Sequence, residues 1–187
     1  MLSPLLQKLL FVRQFSIDNG KIEILGGKYI MLNASALLEL QNIDETKIYM
    51  AARESSLAGM KNLVEHAKVY NKIKDLFLKS ISELGRKIGT TDEGMIKTLQ
   101  DVFNLYGLGS LEVIELDNKN KKVSLKINDS SIAQEHLKRN GKSKNPVCTL
   151  TAGVLAGMFS YIMNQKVECV EAKCLAQGNS ECVFKIG

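Results

Sequence analysis

Four residues near the C-terminal end of the sequence have the types and spacing of a metal site: Cys148, Glu171, Cys174 and Cys182. Thiolates select soft or borderline metals, and three sulfurs plus one carboxylate oxygen fill a tetrahedron, which points to zinc. The pattern C…E-x2-C-x7-C is not a C-x2-C…C-x2-C ribbon, so unmetallated buried thiols and a disulfide stand beside zinc as alternatives. Four cysteines are sparse for a disulfide scaffold of 187 residues, and no export signal is recognisable, so a reducing, cytoplasmic setting is expected. Cys169 shares the strand parity of Glu171 but has no partner spacing, and it reads as a small buried residue. Four protein ligands would leave no open position for activated water, so the zinc is expected to be structural.

The elements that must position this quartet follow from periodicity. Leu150, Val154, Leu155, Met158, Phe159 and Ile162 recur at three- and four-residue spacing, which predicts a helix from Pro146 to about Asn164 with Cys148 in its first turn. There the helix dipole favours a thiolate. Gly153 and Gly157 lie on one face and admit a close neighbour. Lys166 to Lys173 alternates as a strand, and Cys182 to Ile186 as its hairpin partner. Glu171 and Cys174 are three residues apart, which places them on opposite faces of a regular strand. They converge only if the strand bends or ends near Ala172.

Upstream, Leu2, Leu5, Leu6, Leu9 and Leu10 predict a short amphipathic helix. Alternation in KIEI and YIML, separated by Gly26-Gly27, predicts a β-hairpin, and Asn33 is placed to cap a helix over Ala34 to Gln41. Ile48 to Val69 has helical periodicity with many small residues, which permit close packing, and His66 reads as a surface or helix-end histidine. Further helices are expected over Ile73 to Gly85 and from Thr90 or Thr91 to Tyr106. A one-faced hairpin follows, Ser110 to Glu115 and Lys122 to Ile127, turning at Asp117 to Asn120. QEHLKRNGKSKNP, with Lys138, Arg139, Lys142 and Lys144, is expected to be a solvated loop. The fold class is therefore α+β, an antiparallel sheet with several helices packed on it. Residues 1–45 are expected to form an appendage used in packing or dimerisation, and 46–187 the main domain.

Composition excludes several classes. The formal charge of +5 is modest, and no aromatic residue is interleaved with the basic run, so no nucleic-acid partner is expected. No segment approaches the roughly 20 apolar residues of a spanning helix, so no integral membrane association is expected. No nucleotide or flavin fingerprint is present, and no second acid, histidine or hydroxyl motif stands beside the quartet to serve as a base, so an enzyme is not expected.

VCTLTAGVLAGMFSYIMNQKVECVEAKCLAQGNSECVFKI resembles the 4-vinyl reductase domain, a family of small-molecule-binding modules also described as hydrocarbon-binding. The features carrying the resemblance are a cysteine opening a glycine-containing helix, a strand ending in Glu-x2-Cys, a glycine turn and Cys-x-Phe. The resemblance is close over the final forty residues or so and weaker upstream. It implies an α+β module related to TRAPP subunits, working as a homodimer, in which Cys148, Glu171, Cys174 and Cys182 hold zinc. It also implies a small apolar ligand, for which Met50, Leu57, Met60, Phe103, Tyr106, Phe159 and Met163 are the candidate pocket residues, each equally at home in a plain core. A TRAPP-like tethering adaptor with an unidentified protein partner is the alternative, and a reductase or accessory enzyme a more distant one.

Overall fold

Strict alternation in KVSLKIN builds the centre of the main sheet: Val123, Leu125 and Ile127 are buried while Ser124 and Lys126 between them are not. The computed structural model describes residues 15–18, 20–24, 27–69, 100, 103–104, 106–117 and 121–187. Over these the chain forms strands β1 (Phe15–Asp18), β2 (Lys21–Ile24) and β3 (Gly27–Tyr29), then helices α1 (Ala34–Ile43) and α2 (Glu45–Val69). Strands β4 (Ser110–Asp117) and β5 (Lys122–Asn128), helices α3 (Ser131–Asn140) and α4 (Thr149–Ile162), strand β6 (Cys169–Lys173), a 3-10 turn (Leu175–Gln177) and strand β7 (Cys182–Ile186) complete it. The helices expected over the first dozen residues and over 73–85, most of the one expected from residue 90 to 106, the 118–120 turn and the His66 side chain lie outside the described residues.

The main sheet has the order β4-β5-β7-β6, antiparallel throughout. Cross-strand pairs Leu125↔Phe184 and Ile127↔Cys182 join the inward faces of β5 and β7. Helix α4 supplies the other half of the core, with eleven of its fourteen residues buried. It is also the principal partner of α2. The α+β class expected from the sequence is the observed one.

Glycine explains how those two helices meet. A Cβ on Gly153 would lie 2.5 Å from the Tyr49 carbonyl oxygen and 2.9 Å from Ala52 Cβ. One on Gly157 would lie 2.8 Å from Ser56 Cβ and 2.9 Å from Leu57 N. Backbone therefore runs against backbone, which only side chains as small as those of Ala52, Ser56, Gly153 and Gly157 allow.

Several expectations need correction. The N-terminal hairpin is a three-stranded meander, because Phe15–Asp18 pairs with β2, while β3 ends at Tyr29 and leaves Ile30 and Met31 exposed. The basic run begins inside helix α3 rather than in a loop. Ser130 Oγ accepts from Ala133 N at its start, Gly141 closes it at φ +74°, and Ile132 and Ala133 are buried. Its apolar stripe is only one turn deep, so its charges hide it. In β4 a register shift between Val113 and Glu115 turns Glu115 off the core face and brings Leu116 opposite Val123. Pro146 precedes helix α4 without entering it, and Cys148 is the N-cap residue.

Candidate metal centre

Strand β6 carries an irregularity between Glu171 and Lys173, where its register against β7 shifts by one residue. The condition set by parity is thereby met: the extra residue, Ala172, turns the chain so that Glu171 and Cys174 share one side. Cys174 then opens the 3-10 turn. Its carbonyl accepts from Gln177 N at 3.1 Å and Asn179 Nδ2 at 2.8 Å, and its N–H donates to Gln177 Oε1 at 3.1 Å. Gly178, at φ +98°, reverses the chain toward β7. Cys182, first in β7, points inward with Phe184 and Ile186.

Helix α4 brings the fourth group. Its first N–H groups lack intrahelical partners. Cys148 N donates to Glu171 Oε2 at 2.8 Å, and Leu150 N donates to Gln41 Oε1 at 2.9 Å. Gln41, on α1 and only 1% exposed, also donates through Nε2 to the Val147 carbonyl. Residues 34–43 are thus tied into the wall of the site, as is α3, where Ser130 Oγ lies 3.4 Å from Cys148 Sγ.

The result is a closed cluster. Sγ of Cys148 lies 3.9 Å from Cys174 Sγ and 3.8 Å from Cys182 Sγ, and Cys174 and Cys182 are 3.9 Å apart. All four potential ligand atoms lie within 4.8 Å of one another. A disulfide needs about 2.05 Å, so these are free thiols. A tetrahedron of zinc–sulfur bonds of about 2.3 Å has edges of about 3.8 Å, which is the spacing found. Glu171 Oε1 is buried with no hydrogen-bond partner, although its other oxygen is satisfied by Cys148 N. An orphaned carboxylate oxygen facing three thiols is the donor a tetrahedral metal would use.

Electrostatics agree. Burial pushes the Glu171 carboxyl up to about 7, reinforced by the charge of Cys174. Hydrogen bonding to Cys174 raises the Cys148 thiol, and accepting from Cys148 and Cys182 lowers Cys174 to about 2. A cation among these donors would favour their charged forms, against the burial that disfavours them. Leu175 N–H points at Cys182 Sγ at 3.3 Å, and the α4 N-terminus favours negative charge. Cys169 stands outside the cluster, buried, its N–H donating to Tyr49 Oη at 2.9 Å.

Residues 129–187 match the sequence model of the 4-vinyl reductase domain. The resemblance to that family is thereby shown over the stretch that holds the whole quartet. The chain is 25% identical over 151 residues to an uncharacterized protein of Methanocaldococcus jannaschii, MJ0745, covering 77% of this chain and 80% of that one. Its fold matches the phenol-responsive sensory domain of the transcription activator PoxR, solved with phenol, at a TM-score of 0.69 and 17% identity, covering 98% of this chain and 90% of that one. A vinyl-4-reductase family protein from Methanocaldococcus jannaschii aligns at a TM-score of 0.41 and 21% identity, over 86% of this chain and 98% of that one.

The candidate pocket residues differ in burial. Met60, Phe103, Phe159 and Met163 are buried, Leu57 and Tyr106 are half-buried, and Met50 is 39% exposed. Met50 Sδ instead meets Arg53 Nη2 at 3.3 Å. Sequence reasoning missed the residues that tie α2 to the start of β6: Tyr49 Oη donates to Glu168 Oε2 and Arg53 Nη1 to Glu168 Oε1, each at 2.7 Å. Gln41 was equally hidden. Nothing in its type or spacing distinguishes it from a surface glutamine.

Proposed function

We propose that the protein is a cytoplasmic, homodimeric small-molecule-binding or sensing module whose 4-vinyl reductase domain is held by a structural zinc at Cys148, Glu171, Cys174 and Cys182. The observation that carries this reading is the buried quartet, with sulfur spacing of 3.8–3.9 Å and one orphaned carboxylate oxygen. Zinc there would supply charge neutralisation and cross-linking, fastening α4 to β6, the 3-10 turn and β7. Four protein donors fill its coordination, so the reading is of a binding module rather than a catalyst. Thiolate ligands suit a reducing compartment. No helix among the described residues is long and apolar enough to cross a membrane.

Small-molecule binding is supported by the family match and by the fold shared with a sensory domain that binds phenol. The ligand would lie along α2 and the end of α4, near Leu57, Met60, Phe103, Tyr106, Phe159 and Met163. Native mass spectrometry of the purified protein tests the whole reading at once. The expected spectrum is a dimer with one zinc per chain and a co-purifying small molecule. Fully folded protein with almost no zinc by elemental analysis would overturn the metal assignment.

A further inference from the structure

Cys148 stands at a position whose side chain ordinarily has another task. It is the N-cap residue of α4, and an N-cap side chain usually folds back from an extended backbone to accept from the second or third helical N–H. Cys148 makes no such bond. Its backbone, at φ −100° and ψ 43°, lies outside the extended region, and its Sγ is turned toward Cys174 and Cys182 instead. A helix start that gives up its own cap leaves buried N–H groups that must be satisfied from elsewhere.

Gln41 satisfies them from another helix. Its Oε1 accepts at 2.9 Å from Leu150 N, the second helical N–H, which is the donor that an ordinary cap would take. Its Nε2 donates to the Val147 carbonyl at 2.5 Å. The peptide group joining Val147 to Cys148 is therefore held at both ends, because its N–H donates to Glu171 Oε2 at 2.8 Å. One amide thus brackets the cysteine, gripping the peptide before it and the N–H two residues after it. Only one orientation of that amide matches a carbonyl on one side and an N–H on the other, and at 1% exposure Gln41 has no water to turn to.

From this geometry we infer that Gln41 is a positioning residue of the metal centre: it caps α4 from α1, which frees the N-cap cysteine to act as a ligand and fixes the direction of its sulfur. The inference rests on the metal reading above and deepens it. Gln41 lies far upstream of residues 129–187, the stretch that matches the family, so the unit that binds the metal includes α1 and begins before residue 46.

Cobalt(II) titration of the full-length protein tests this, because cobalt absorption reports both affinity and the number of thiolates bound. Gln41→Met, close in volume but unable to hydrogen-bond, should weaken cobalt binding about tenfold or more, the usual effect of removing a residue that orients a ligand. Its thiolate-to-cobalt band should lose the share that one of three sulfurs contributes. Gln41→Glu keeps an acceptor for Leu150 N but loses the donor to Val147, so its affinity should fall between the two. Leu38→Ala, which removes a fully buried apolar side chain from the same helix, should lower the melting temperature at least as much as Gln41→Met and leave cobalt affinity and spectrum as in the wild type.

Wild-type affinity and spectrum in Gln41→Met would overturn the inference and leave the metal centre standing; if that variant does not fold, wild-type affinity in Gln41→Glu would do the same. An equal loss of affinity in Leu38→Ala and Gln41→Met would reduce Gln41 to a structural part and sink the inference alone. Folded wild-type protein that binds neither cobalt nor zinc would overturn both readings.

Discussion

The start and the middle of α4 are built on opposite principles. At its N-terminus, polar groups from α1, α3, α4, β6, the 3-10 turn and β7 converge, and four of the side chains are placed so that they could hold a metal ion. Along its middle, Gly153 and Gly157 lie against α2 with no side chain of their own. On the proposed reading the first junction is held by ligand chemistry, and the second is held by the absence of atoms. The lesson is about reversibility: what a metal completes, its supply can restore, whereas a close-packed seam has no external remedy.

The sharpest way to break that contrast is to fill the seam. Gly157→Leu must push atoms of Arg53, Ser56 and Leu57 away from α4, and the expected loss is about 4 kcal/mol or more, enough to abolish cooperative unfolding. Circular dichroism melts should show no recovery with added zinc. At the other end, Cys182→Ser should remove the metal and lower stability by about 4 kcal/mol, the linkage expected of a ligand present at about a thousand times its dissociation constant. Chelating the wild type should reproduce that melt, and chelating the variant should change nothing further. A variant that retains zinc and wild-type stability would show that the quartet is not one unit.

The smallest effect concerns the link between the two junctions, Tyr49–Glu168–Arg53. The hydrogen bond from Tyr49, with the charge of Arg53, holds the Glu168 carboxyl below its ordinary value. Its stabilisation is therefore present above the unfolded carboxylate pKa, about 4.3, and fades as pH falls through the lowered folded value. Glu168 is half exposed, so solvent screening keeps the effect small. Glu168→Gln should flatten the acid side of the stability–pH curve while leaving zinc content unchanged. An identical acid slope in both proteins would show that the clasp carries no charge-dependent energy.

How much of this was legible in the sequence depended on the kind of interaction. The quartet announced itself because Cys and Glu at such spacing have few structural uses, and Gly153 and Gly157 because glycine inside a helix is unfavourable without a packing reason. Even the needed break at Ala172 followed from parity alone. Gln41, Tyr49 and Arg53 were not legible, since their partners lie over a hundred residues away and a polar side chain on a helix carries no mark of burial. Helix α3 was misread because its charged residues outweighed the short stripe of Ile132 and Ala133, although Ser130 and Gly141 mark both its ends.

The irregularity at Ala172 has a second effect, on how molecules of this protein meet one another. Among the described residues the order β4-β5-β7-β6 leaves β4 and β6 outermost, and they carry exposed Ile114 and Val170. Flat, apolar outer strands invite another chain to add itself to the sheet. Both are interrupted, β4 between Val113 and Glu115 and β6 between Glu171 and Lys173. The kink that aims a carboxylate and a thiol at the same point thus also denies a passing strand a straight template, so the residue that shapes the cluster helps keep the protein from aggregating.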